Sequence, residues 1–136
     1  NAMQTKLFSL NSKGIIMELN KFISMRFMTK DQERFFRSYL EAIYFTETGD
    51  TDQPEAGDEL HEECLVKESE DCRKFFNAYH ELFEGNEGQA AHDFWFTRNG
   101  HGVGFWDRPE LYGERNAEEL TRACKFIGET RPEFKE

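Results

Sequence analysis

Residues 92–108, HDFWFTRNGHGVGFWDR, constrain the fold more than any other part of the chain. Five aromatic residues and two histidines share this window with three glycines and an Asn-Gly pair. Asn99-Gly100 is the preferred two-residue connection of a β-hairpin, because both central positions of a type I′ turn need positive φ. A turn there fixes the register, with Arg98 opposite His101, Phe96 opposite Val103, Phe94 opposite Phe105 and His92 opposite Asp107. Strands over about 93–98 and 101–107 then sort their side chains to two faces. Phe94, Phe96, Val103 and Phe105 form an apolar layer. Trp95 and Trp106 fall on the other face, where Gly102 and Gly104 leave bare backbone for the indoles or for a docked molecule.

The flanking sequence reads as helical. Thr29 and Gln32 make a capping box, and Phe35, Phe36, Tyr39, Leu40, Ile43 and Tyr44 follow as one apolar stripe. A polar, acidic loop is expected over residues 46–59. Leu60, Cys64 and Leu65 indicate a short helix. A longer one is expected to start at Ser69-Glu70, with Cys72, Phe75, Phe76, Tyr79, Leu82 and Phe83 inward and Gly85 as a left-handed cap. Asn116 is the expected start of a last helix, with Leu120, Ala123, Cys124 and either Ile127 or Phe126 inward, ended by Gly128. Residues 129–134 leave room for a third strand, held to a sheet edge by Pro132. The expected fold is α+β, with helices on one face of a short antiparallel sheet. At 136 residues the chain is one domain, placed at 29–136. Residues 1–28 are read as a tag remnant, Asn1-Ala2, and a variable N-terminal extension.

The net charge is −10, and residues 41–70 alone carry it, with eleven acids against Lys67. Bulk attraction to nucleic acid or anionic lipid is therefore disfavoured. No apolar run approaches the roughly 20 residues of a membrane span, and no signal peptide is evident. The odd set Cys64, Cys72 and Cys124 reads as reduced thiols of a cytoplasmic protein. His61, Cys64, Cys72 and His80 lack the two tight pairs of a structural zinc site, so no metal or other cofactor is expected. A His92–Asp107 pair across the hairpin base is read as structural, since no nucleophile accompanies it.

The stretch HDFWFTRNGHGVGFWDR is similar to the signature of a family of short proteins encoded by tailed bacteriophages and prophages. Weaker likeness extends to FFRSYLEAIYFT and DCRKFF, so the resemblance covers the chain from about Thr29 onward. It implies a phage or prophage origin and supplies no activity. The function expected is that of a non-enzymatic accessory protein in the bacterial cytoplasm that binds a host or phage protein. Trp95, Arg98, His101 and Trp106 are the binding residues of that reading. His92, Phe94, Phe96, Asn99, Gly100, Gly102, Gly104, Phe105 and Asp107 are its structural hairpin. The alternative is a single-stranded nucleic-acid binder that stacks bases on Trp95 and Trp106.

Overall fold

The computed structural model describes residues 27–48 and 60–135. Most of the expected N-terminal extension and residues 49–59 of the expected loop lie outside the described residues, while residues 46–48 of that loop are helical. The capping box forms as expected. Thr29 Oγ1 accepts the Gln32 N–H at 3.1 Å and Gln32 Oε1 accepts the Thr29 N–H at 2.9 Å. Helix α1 follows over Lys30–Thr48, and its stripe buries Phe35, Phe36, Tyr39 and Ile43 almost completely. Helix α2 runs unbroken over Glu62–Tyr79, through the point where two helices were expected. Ser69 is not a cap but an interior residue, its hydroxyl donating to the Val66 carbonyl at 2.7 Å. A 3-10 turn over His80–Phe83 and Gly85, at φ +86°, close this segment.

The expected hairpin is a helix. Helix α3 spans Glu87–Arg98, and Asn99-Gly100 ends it instead of turning a strand pair. The His101 N–H donates to the Phe96 carbonyl at 3.0 Å and the Gly100 N–H to the Thr97 carbonyl at 3.3 Å. Gly100 sits at φ +68°. These are the two bonds and the left-handed residue of a Schellman cap. The hydrophobic contact that accompanies such a cap is also there, with Phe96 edge-on to His101 at 5.5 Å.

The pairings expected across the hairpin do not occur. His92, Phe94 and Phe96 lie on α3, and Gly102 and Gly104 lie in the loop that follows it. Phe105 and Asp107 belong to a 3-10 turn over Phe105–Asp107. Helix α4 is a single turn, Pro109–Tyr112. Helix α5 spans Glu114–Ile127, two residues ahead of the expected start, and Gly128 ends it at φ +86°. The third strand is also absent. Residues 129–134 form one isolated antiparallel bridge, Leu60 with Phe134. Among the described residues there is no strand, so the fold is all-α and not α+β.

Helix α3 is the centre of the packing, lying mainly against α1 and also against α5. Ala90, Ala91, Asp93, Phe94, Trp95, Thr97 and Arg98 are all buried, which covers most of its circumference. Phe94 stacks on Phe75 of α2 at 4.0 Å, and Phe35, Phe83 and Phe105 surround that pair. Trp95 stands edge-on to Tyr39 at 5.7 Å and donates its indole N–H to Thr46 Oγ1 at 3.0 Å. The sheet's supposed outer indole is thus a core residue.

Candidate functional site

A helix buried on most sides must also bury polar residues, and those of α3 are neutralised in two networks. Arg98, at the end of α3, has a side chain only 2% exposed. Its Nη2 lies 3.0 Å from Asp71, its Nη1 donates to Tyr39 Oη at 3.1 Å, and its Nε donates to the Gly128 carbonyl at 2.9 Å. Glu68 completes the cluster, accepting from Tyr39 Oη at 2.5 Å and from Thr130 Oγ1 at 2.8 Å. Asn99 Oδ1 accepts the Thr130 N–H at 2.9 Å. Together these bonds fasten the segment after α5 to α2 and to the cap of α3. Burial alone would weaken the guanidinium's hold on its proton. The acidic groups Tyr39, Glu68 and Asp71 outweigh that and raise the Arg98 pKa. Burial pushes the Tyr39 phenol well above its ordinary 10.0, helped by Cys72 and Glu68.

Asp93 organises the second network from a fully buried position. Its Oδ1 accepts from Arg108 Nε at 3.0 Å and from Gln89 Nε2 at 3.1 Å, and its Oδ2 accepts from Tyr112 Oη at 2.7 Å. Burial and the bond to Asp93 raise the Tyr112 phenol far above its usual range. The loop between α3 and α4 is fixed beside this network. Thr97 Oγ1 accepts the Phe105 N–H at 3.0 Å, and Asp107 Oδ1 accepts the Gly104 N–H at 3.0 Å. Gly104 is extended, so its requirement is space. A Cβ there would come 2.3 Å from Thr97 Oγ1.

Both networks pair their buried charged and phenolic groups with one another. Burial also holds the Cys72 and Cys124 thiols protonated, well above their ordinary 9.0. His92 and Asp107 do not meet. His92 Nε2 lies 3.5 Å from Glu41, off hydrogen-bond geometry, while Asp107 caps its own turn. His61 is exposed, Cys72 is in the core, and Cys64 Sγ accepts the Glu133 N–H at 3.3 Å. Among the described residues no three His, Cys, Asp or Glu side chains are placed to hold a metal ion.

The four residues expected to make one binding face are dispersed. Trp95 and Arg98 are buried, and His101 is half-buried against Trp95 and Phe96. Only Trp106 is open, at 51% exposure. It borders an open groove of about 480 Å³ along the outer side of α5, lined also by Pro109, Glu114, Glu118, Arg122 and Lys125. Phe126, one helical turn beyond Arg122, is 93% exposed. The expectation that Phe126 or Ile127 packs inward fails for both, since Ile127 is 38% exposed. The groove-lining charges were missed, although α5 signals them. Leu120, Ala123 and Cys124 keep the i, i+3, i+4 spacing of an inner stripe, and Phe126 falls off it.

Comparison with protein families, curated proteins and solved structures returned no match. No described helix is long and apolar enough to cross a membrane.

Proposed function

We propose that the chain is a phage- or prophage-encoded, non-enzymatic accessory protein of the bacterial cytoplasm that works by docking another polypeptide, a host or phage protein, on the outer face of α5. The observation that carries this reading is the open indole of Trp106 at the charged groove along α5, with the exposed Phe126 one helical turn past the groove-lining Arg122. Tryptophan and arginine are enriched among the residues that dominate interface energies, and this groove exposes Trp106 and Arg122. The buried ionisable groups pair with one another, and the buried thiols stay protonated, which supports binding over catalysis. A base-stacking platform would need both indoles, and Trp95 is in the core.

The test is site-specific photo-crosslinking. A benzophenone side chain at Thr121, in the groove, is expected to give a polypeptide adduct that Trp106→Ala abolishes. The same group at Lys74, on the exposed side of α2, should give none. Equal adducts at both positions would refute the reading. Salt-sensitive quenching of Trp106 by a single-stranded oligonucleotide would transfer the face to nucleic acid instead.

A further inference from the structure

We infer that the polypeptide taken by the outer face of α5 is a second copy of this chain, packed antiparallel about a two-fold axis. This rests on the reading of that face as a docking surface. Charge is ordered among the residues of the helix that line the groove, which leave out Arg115. Glu114 and Glu118 lie in its N-terminal half and Arg122 and Lys125 in its C-terminal half, and all four line the groove. A second α5 running the opposite way brings its basic half onto the first one's acidic half. With the axis near the helix midpoint, Glu118 meets Arg122 of the second copy and Glu114 meets its Lys125. A two-fold axis makes each contact twice, as an isologous interface requires. Parallel packing would set like charges against each other.

The exposed aromatics fit the same arrangement. Phe126 stands at the C-terminal end of α5. The other end of the groove holds Pro109 and Glu114, where α4 leads into α5. At 1.5 Å per residue α5 is about 21 Å long, so antiparallel packing carries Phe126 of each copy toward the Trp106–Pro109 edge of the other. The chain's charge of −10 would repel a second copy in bulk, but the four charges lining this groove cancel. An interface built on one short helix face is at the small end of the size range, so the dimer dissociates on dilution.

Sedimentation velocity over a wide concentration series tests this with the intact chain. The wild type is expected to pass from monomer to dimer. Glu118→Arg and Arg122→Glu each set like charges together twice per dimer and should weaken association about tenfold or more. An equimolar mixture of the two variants should form a heterodimer, because one chain then carries arginine at both positions and the other carries glutamate at both. Changes within a single helix cannot produce that recovery, and circular dichroism checks that both variants fold. A wild type that stays monomeric, a dimer indifferent to both substitutions, or a mixture that recovers nothing would each overturn the proposal. Monomers that still give the Trp106-dependent adduct would refute the second copy and leave the docking reading in place.

Discussion

Replacing Arg98 by methionine removes the cation from the buried cluster at the end of α3. The side chain is 2% exposed, and the Glu68 it faces is 1% exposed. Asp71 keeps partial solvent access and its contact with Lys67 at 2.9 Å, so its loss is small. Glu68 keeps two hydroxyl donors, from Tyr39 and Thr130, but its nearest remaining cation is Lys67 at 3.9 Å. Breaking a buried ion pair from one side costs about 3–5 kcal/mol. The unpaired Gly128 carbonyl adds to it. A loss of about 4 kcal/mol is a large part of a typical domain's stability and lowers Tm by roughly 10–20 °C. The assay is urea unfolding followed by circular dichroism, run as a cycle with Glu68→Gln. Glu68→Gln destabilises the wild type, and in the Arg98→Met background it should recover about 1–2 kcal/mol by removing the stranded charge. A cost for Arg98→Met below about 1 kcal/mol, as for an exposed residue beside a turn, would show that Arg98 is not the cation of a buried cluster. So would a Glu68→Gln substitution equally harmful in both backgrounds.

Two further outcomes are expected. Gly104→Ala should cost about 1–3 kcal/mol, because its Cβ meets the Thr97 hydroxyl that holds the Phe105 N–H. Gly102→Ala, with nothing within 4 Å, should be near neutral, and equal effects in urea unfolding would contradict the loop's geometry. Stability should also fall in alkali. The buried Cys72, Tyr39 and Tyr112 have folded pKa values raised above their unfolded 9.0 and 10.0. The unfolded state therefore loses protons first, and stability that is complete below about pH 9 declines above it. A urea midpoint that holds or rises between about pH 8 and 11 would count against this burial.

How far the fold was legible depended on whether a segment's burial was one-sided. The α1 stripe and the Thr29–Gln32 box are one-sided and local, and both were read correctly. So was the helix end at Gly128, where φ is positive, whereas the helix expected to reach Gly85 ends at Tyr79 and gives way to a 3-10 turn before that glycine. Helix α3 was misread for two physical reasons. Its burial covers most of the circumference, so Phe94 and Phe96 show a period of two as readily as Ala90, Phe94 and Arg98 show a helical one. Asn-Gly satisfies a type I′ turn and a Schellman cap equally well, and the sequence alone does not choose between them. Ser69 misled in the same way, since a residue favoured at helix starts can also return its hydroxyl to the preceding turn. Of the candidate site, Trp106 was named from sequence, but its neighbours on α5 were not. Glu68 sits in an acidic run that suggested a solvated surface, and its burial is set by Arg98 and Tyr39, far away in sequence.

The first half of the aromatic signature is a buried helix, and of its two indoles only Trp106 turns outward. Acrylamide quenching of the Trp106→Phe variant measures it directly, because Trp95 is then the sole tryptophan. Trp95 should emit at short wavelength and resist quenching while the chain is folded, then become accessible in urea. Quenching of the folded variant as efficient as that of free indole would place Trp95 on a surface instead of against Tyr39 in the core.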